Sequence, residues 1–207
     1  MTELTIFTLN YVPEMPRGFV RDIRLRWACE EANLPYRVEG LPFEAKSEQH
    51  FLTHPFGQVP WLTDGDITIF ESGAGLLYLA QKSEKLMPRE PAEAAEALQW
   101  TMSALNSVEM VSVPWWFLEV TGAKQNGLTG WFESRLAQME KVLKAREFLA
   151  ANRFTVADLA MVDVLRIAKV RAFGNRPATE AYIKRITERP AFKKAHADQM
   201  AHFANAD

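Results

Sequence analysis

Glu71 and Ser72 are adjacent polar residues at the point where a strand-like run gives way to a helix-like one. A serine at a helix N-cap commonly does no more than accept a hydrogen bond from a free backbone N–H group. The same end of a helix also attracts a carboxylate, because its N–H groups are unpaired and the helix dipole is positive there. A neighbouring glutamate can accept from an ammonium group. The pair therefore suits the α-carboxylate and α-ammonium of an amino acid, and simple capping is the alternative.

Other reactive side chains indicate structural roles. Cys29 is the single cysteine, so the chain has no CxxC pair, and it falls on an apolar helical stripe, which predicts an inert buried thiol. Thr155 and Asp158 precede an apolar run with the spacing of a capping box, which predicts a structural role and not a catalytic one. The histidines show no spacing typical of metal ligands, so no metal is expected. They are His50, His54, His196 and His202.

Aromatic residues are concentrated at Trp115, Trp116 and Phe117, with Met110 shortly before them. Packing in the core is the usual role of such residues. Adjacent positions on a helix point about 100° apart, so Trp115 and Trp116 cannot both face one core. We therefore expect one of them to line a pocket or an interface. Met110, Trp115 and Trp116 are the candidates for a hydrophobic substrate pocket.

The first half of the chain alternates between strand-like and helix-like periodicity. A strand, an apolar helical stripe and a second strand within 40 residues form a βαβ unit, whose strands are parallel. Asp64-Gly65 lies between two further strand-like runs and predicts a hairpin. The order βαβ, short α, ββ, α is the thioredoxin-like pattern. The predicted elements lie near residues 4–9, 17–33, 36–41, 47–53, 59–63, 66–70 and 71–80.

Pro60 begins the third predicted strand, directly after Gln58 and Val59. Only about 5–6% of X-Pro bonds are cis, and a trans proline is acceptable at the start of an edge strand. In a thioredoxin-like fold, however, a cis proline at this position turns the N–H and C=O of the preceding residue outward, where they can bind a peptide or thiol ligand. We expect the cis isomer, with the backbone of Val59 facing an open cleft.

From about Glu90 onward the periodicity is purely helical. Pro88 and Pro91 bracket a polar connection that is typical of a linker. The sequence therefore predicts an α/β thioredoxin-like N-terminal domain over 1–83, a linker over 84–91 and an all-α helical bundle domain over 92–207. The predicted helical segments of the second domain are 92–119, 129–149, 156–172, 178–188 and 190–204.

The composition is that of a globular protein. Of 207 residues, 48% are apolar and 24% are charged, and the net charge of −2 argues against nucleic acid as a partner. The most apolar stretch, Met110 to Leu118, is far shorter than the roughly 20 residues needed to span a bilayer. The first residues show no signal-peptide pattern. We expect a cytoplasmic protein with no nucleic-acid or membrane partner.

Five segments together resemble the glutathione S-transferase superfamily, over nearly the whole chain. Each segment is a weak indication alone, whereas five in the family's order are specific. They are Arg24 to Tyr36, His54 to Pro60, Phe70 to Ser72, Phe154 to Asp158, and Ala181 to Phe192.

The resemblance implies a homodimer that uses glutathione as its cosubstrate. It assigns glutathione contacts to the main chain of Val59 and to the side chains of Glu71 and Ser72. Lys46 is similar in position to a basic residue that meets the glycine carboxylate of glutathione in some classes. Gln58 is a further contact that the resemblance suggests.

The segment 10–21 departs from the family's pattern. The family places a tyrosine at the end of strand one, or a serine, cysteine or asparagine just before helix one, to stabilise the glutathione thiolate. This segment has no serine or cysteine and is longer than usual. The remaining candidate donors are Tyr11, Arg17, Asn10 and Thr8. Tyr11 ranks first as a strong donor directly after strand one, and Arg17 could add charge to a hydrogen bond.

Three functions remain open. The first is a detoxification reaction, in which a glutathione transferase joins the glutathione thiolate to a small hydrophobic electrophile. The second is reduction of disulfides or peroxides by glutathione. The third is a non-catalytic binding protein that retains the fold, which the missing thiolate donor favours.

Overall fold

The computed structural model describes residues 4–43 and 46–204. Its first part contains four strands and three helices, as the sequence predicts. These are β1 (Leu4–Leu9), α1 (Asp22–Ala32), β2 (Tyr36–Leu41), α2 (Glu48–Thr53), β3 (Trp61–Asp64), β4 (Ile67–Phe70) and α3 (Ser72–Gln81).

The strands form one mixed sheet in the order β2-β1-β3-β4. β1 is parallel to β2, with Leu9 opposite Leu41. β3 is antiparallel to both neighbours, with Trp61 opposite Phe7 of β1 and opposite Phe70 of β4. This register brings the last residues of β1, β2 and β4 to the same end of the sheet as the first residue of β3. Loops that follow or precede those residues are therefore neighbours, and the predicted thioredoxin-like class is confirmed.

Helix α1 begins later than the sequence indicates. The predicted helical stripe starts at residue 17, whereas α1 starts at Asp22. Gly18 has a φ of +81°, a left-handed conformation that a right-handed helix cannot include. The helix ends at Asn33, which is left-handed with a φ of 54°. The segment 10–21 is consequently a long connection between β1 and α1.

The rest of the chain is helical, which confirms the predicted class. The predicted helix over 92–119 is divided by a π-helical segment, Ala104–Glu109. The predicted helix over 156–172 ends at Leu165 and is followed by a separate short helix. The helices are α4 (Pro91–Ser103), α5 (Met110–Val120), α6 (Thr129–Ala145), α7 (Val156–Leu165), α8 (Ala168–Arg171), α9 (Pro177–Thr187) and α10 (Pro190–Ala204).

Helix α7 is the central helix of this part, and all ten of its residues are buried. The Thr155 hydroxyl accepts a hydrogen bond from the N–H of Ala157, and the Asp158 carboxyl accepts one from the N–H of Thr155. These bonds satisfy donors that a buried helix end would otherwise leave unpaired. The predicted capping box is confirmed.

Contacts divide the chain into two compact units. One comprises the described residues up to Leu86 together with those from Arg189 onward, and the other comprises Met87–Glu188. Helix α10 thus belongs with the sheet and packs against α1. The division into domains at 1–83, 84–91 and 92–207 stays a prediction. Within the described residues, no helix has the length and apolarity required to cross a membrane.

Candidate active site

A cavity of about 350 Å³ lies at the end of the sheet where the loops meet. Its walls come from the end of β1, the start of α1, the loop after β2 and the loop before β3. Two of its side chains, Arg21 and Lys46, are cationic. The lining residues are Leu9, Arg21, Phe43, Lys46, Gly57, Gln58 and Val59.

Val59 is one of the residues that line this cavity. The Val59–Pro60 peptide bond is cis, the isomer that the sequence predicts. Neither backbone group of Val59 bonds to another described residue. The preceding carbonyl, that of Gln58, accepts a hydrogen bond of 3.0 Å from Nε2 of the buried His50. The His50 ring in turn packs 4.8 Å from the ring of Trp61. These contacts of His50 hold the loop in place. The backbone N–H and C=O groups of Val59 remain available to bind a ligand.

Glu71 and Ser72 lie at the start of α3. Glu71 occupies the N-cap position with a φ of +70°, an unusual conformation for a residue with a side chain and one that clusters at functional sites. Ser72 is the first helical residue, so the capping alternative for its side chain is wrong. Its buried hydroxyl oxygen accepts from Nη1 of Arg24 at 3.2 Å. The hydroxyl hydrogen therefore remains free to donate to another acceptor.

The strand register brings these groups to one end of the sheet. Trp61 lies opposite Phe70, so Val59, just before β3, and Glu71, just after β4, are close in space. The cationic side chains of Arg21 and Lys46 belong to the cavity that Val59 lines. A cavity with two cationic side chains, the unbonded backbone of Val59 and a carboxylate next to a helix N-terminus thus lie at the same end of the sheet.

His54 begins the segment His54 to Pro60 that resembles the superfamily, and its ring is buried. The ring centroid lies 5.1 Å from that of Phe70 and 6.2 Å from that of Phe56. Burial lowers the pKa of this imidazole, and the negative charge of Glu71 opposes that shift. Burial in the folded protein therefore favours the neutral form of the His54 imidazole, although Glu71 lies near it.

Tyr11 and Arg17, two of the predicted thiolate donors, lie together at the rim of the cavity. The Tyr11 side chain is 40% exposed, and its ring meets the edge of the cavity residue Phe43 at 6.3 Å between centroids. The guanidinium of Arg17 lies 5.8 Å from the Tyr11 ring, and its Nε donates to the carbonyl of Val12. Both residues are near the cavity, although neither lines it.

Thr8 and Asn10, the other two predicted donors, differ in exposure. Thr8 is fully buried, and its hydroxyl has no hydrogen-bond partner among the described residues. Asn10 is exposed, and its side chain fills the space beside Gly40, where an added Cβ would lie 1.8 Å from Oδ1. Thr8 thus presents no surface to a ligand.

Arg21 is a cavity residue that the sequence analysis missed. It is the residue just before α1, where the family places its serine, cysteine or asparagine. That position was the available signal, because the apolar stripe of α1 follows it directly. The true start of α1 was obscured by the helix-like spacing of residues 17–21.

Trp115 and Trp116 differ in burial, as their adjacent positions on a helix predict. Trp115 is buried, with its ring centroid 4.6 Å from that of Phe132 and 5.3 Å from that of Phe173. Trp116 is half-buried, and Met110 is exposed. Trp115 is therefore a core residue, and the other two retain surface for a ligand.

Cys29 is buried as predicted, and burial raises the pKa of its thiol to about 12. A thiol with so high a pKa is not a nucleophile at neutral pH.

Comparison with known proteins agrees with this geometry. The family description for the N-terminal domain of glutathione S-transferases matches residues 17–81, and that for the C-terminal domain matches residues 124–190. Glutathione S-transferase 1 of Zea mays is 30% identical over 192 residues, which cover 84% of this chain and 90% of the relative. The chain belongs to the glutathione S-transferase family.

Solved structures show the same fold. A glutathione transferase from Phanerochaete chrysosporium in complex with oxidized glutathione superposes with a TM-score of 0.81 at 22% identity, covering 100% of this chain and 98% of that one. A glutathione transferase from Pseudomonas putida with glutathione disulfide bound gives a TM-score of 0.80 at 21% identity, covering 94% and 91%.

Proposed function

We propose that this protein is a glutathione transferase that conjugates the glutathione thiolate to a small hydrophobic electrophile. The observation that carries the proposal is the meeting, at one end of the sheet, of a cation-lined cavity, the Val59 backbone and the Glu71-Ser72 pair. Family membership supports it. Because the cosubstrate is a reduced thiol, the proposed reaction is consistent with a cytoplasmic location.

Each charged group of glutathione has a counterpart at this site. Ser72, with the N–H groups of α3, would bind the γ-glutamyl carboxylate, and Glu71 would accept from the ammonium. The free backbone of Val59 would pair with the cysteinyl residue as a short ladder. Lys46 and Gln58 would hold the glycyl carboxylate. No metal takes part in this scheme.

Thiol activation is assigned to the segment 10–21 and to Arg21 first. A free thiol has a pKa near 8.5, and an opposite charge at about 4–6 Å lowers the pKa of an acid by roughly 1–3 units. Arg21 is the only cation of that segment that lines the cavity. Tyr11 and Arg17 stay at its rim, Asn10 lies outside it, and Thr8 is set aside because it is buried.

In the proposed reaction no residue of the protein forms a covalent bond with a substrate. The thiol proton leaves to solvent, the thiolate sulfur forms a bond to an electrophilic carbon, and the leaving group departs with the electron pair of its broken bond. The protein supplies a stabilised thiolate and proximity. Exposed apolar side chains around Met110 and Trp116 of α5 are proposed to hold the electrophile.

Replacing Arg21 with methionine tests this assignment. The parent should conjugate glutathione to 1-chloro-2,4-dinitrobenzene with release of chloride. In Arg21→Met the pKa of bound glutathione, followed by thiolate absorbance, should rise by about 1–2 units toward that of the free thiol, so kcat at pH 7 should fall about three- to tenfold or more. Arg17→Met is the matched control and should change kcat less than about threefold, since its guanidinium does not line the cavity. Equal effects of the two substitutions would contradict the role of Arg21.

Reduction of disulfides is the second candidate function. Two structural neighbours were solved with oxidized glutathione or glutathione disulfide bound, so their sites accept that product. Turnover of hydroxyethyl disulfide without turnover of the aryl halide would favour the reductase. Binding of glutathione with neither activity would favour the non-catalytic protein.

We further propose a homodimer that forms through an apolar face of the first unit. Phe56 is 68% exposed, and the rings of Phe56, His54 and Phe70 follow one another at 5–6 Å. Phe51 and Leu52 of α2 add exposed apolar surface beside them. Contiguous apolar surface of this kind is typical of a protein–protein interface.

Phe56→Glu should convert the dimer into monomers, because it places a charge in the middle of this apolar face. Light scattering at micromolar concentration should give about twice 23.5 kDa for the parent and about 23.5 kDa for the variant. Val120→Glu, on an exposed apolar position of α5, is the control and should remain dimeric. A monomeric parent would exclude the homodimer.

A further inference from the structure

The C-terminal helix α10 is tied to both ends of the segment 10–21. Nε2 of Gln199 donates to the carbonyl of Val20 at 2.9 Å and to Oδ1 of Asp22 at 2.6 Å. Nε2 of His202, one turn further along α10, donates to the carbonyl of Leu9 at 2.8 Å. Two side chains of one helix therefore fix the backbone where the segment begins and where it ends.

The Gln199 contact is buried, and its side-chain partner is the carboxyl group of Asp22. Gln199 and Asp22 both have no exposed surface. Asp22 also accepts from Nε of Arg26 at 2.7 Å, so its carboxyl is held from two sides. Loss of a donor would leave a buried carboxyl oxygen without a hydrogen-bond partner, which is energetically costly. The contact between Gln199 and Asp22 is therefore hard to break. Arg21 lies between the two groups that Gln199 binds.

The middle of the segment also meets α10. Gly18 has a φ of +81°, and a Cβ at this position would lie 2.7 Å from Nε2 of His196. Only a residue without a side chain permits so close an approach of the segment to the helix. Helix α10 therefore contacts the segment at Gly18 as well as at its two ends.

A separate set of contacts joins α10, and the residue just before it, to the far end of α1. Arg189 makes two hydrogen bonds to the carboxylate of Glu31, at 2.6 and 2.8 Å, and Nζ of Lys194 lies 2.6 Å from Oε1 of Glu30. These contacts can hold the two helices together without touching the segment. Docking of α10 and placement of the segment are therefore separable by substitution.

We propose that Gln199 and His202 are positioning residues for thiol activation: they hold the ends of the segment 10–21 and so keep Arg21 at the cavity. This inference rests on the proposed function for its chemical meaning. The structural part, that α10 holds the segment, does not depend on glutathione.

The test compares Gln199→Leu with Lys194→Gln, using hydrogen exchange of residues 10–21 and the thiol pKa of bound glutathione. In Gln199→Leu, exchange in the segment should be about tenfold faster. The pKa of bound glutathione should rise enough to reduce kcat at pH 7 about fivefold, with the glutathione Kd changed less than about threefold. Lys194→Gln should match the parent in all three measurements.

His202 provides a second comparison, which holds even where Gln199→Leu fails to fold. His202→Gln keeps a donor for the Leu9 carbonyl and should behave like the parent, whereas His202→Leu should accelerate exchange in the segment and lower kcat. Equal behaviour of the two His202 variants would overturn the proposal. So would equal losses in Gln199→Leu and Lys194→Gln, because these would indicate general packing only. A parent that binds no glutathione would contradict the proposed function, while the exchange comparison would still decide whether α10 holds the segment.

Discussion

Asp158→Ala is expected to lower the free energy of unfolding by about 4 kcal/mol, the largest loss of stability among the substitutions considered. Asp158 is fully buried next to the start of α7. Its Oδ1 accepts from the N–H of Leu149 at 2.9 Å and from the hydroxyl of Tyr182 at 2.8 Å. Its Oδ2 accepts from the N–H of Thr155 at 2.9 Å. Alanine would leave these three buried donors without a partner.

The electrostatics of this carboxyl agree with a structural role. Burial raises the pKa of Asp158, and the donors from Leu149, Thr155 and Tyr182 oppose that shift. The donors are thus what makes a charge tolerable at this depth. No ligand is needed to explain the residue.

Urea denaturation followed by circular dichroism measures the loss. Tyr182→Phe is the matched control, since it removes one of the donors to Asp158 and keeps the ring, and it should cost only about 1 kcal/mol. An Asp158→Ala variant within 1 kcal/mol of the parent would show that the cap is not a major support of the fold.

Local signals explain which parts of the fold could be predicted. Asp64-Gly65 predicts the hairpin because a tight turn requires those residues, and Gly65 has a φ of +60°. The Thr155–Asp158 spacing predicts the cap because the interaction spans only three residues. The Glu71-Ser72 pair was predictable in the same way, although the structure moves the N-cap from Ser72 to Glu71.

Non-local packing explains what the sequence did not reveal. The spacing of residues 17–21 is helical, but Gly18 is left-handed, and α10, from the other end of the chain, packs closely against it. Arg21 is a cavity residue only because the strand register places the loops of β1, β2 and β3 together. The contact of Gly18 with α10 leaves no local pattern, whereas the position of Arg21 just before α1 was the available signal.

The central claim is that the Val59 and Glu71-Ser72 end of the sheet binds glutathione, and Ser72→Ala tests it with a large expected effect. Loss of a charge-assisted hydrogen bond to the γ-glutamyl carboxylate should weaken binding by about 1–3 kcal/mol, or roughly 5- to 150-fold in Kd. Ser72→Thr should retain most of the affinity, since it keeps the hydroxyl. Thermal melts of both variants would check that the buried Arg24 contact is not needed for folding.

Calorimetric titration with glutathione is the most direct measurement of this claim. The control is Ser83→Ala, a serine beyond the C-terminal end of α3 whose hydroxyl accepts from the N–H of Lys85. We expect the parent and Ser83→Ala to bind glutathione with the same Kd, and Ser72→Ala to bind at least fivefold more weakly. An absence of binding by the parent at millimolar glutathione, or equal Kd values for the parent and Ser72→Ala, would contradict the glutathione site described above.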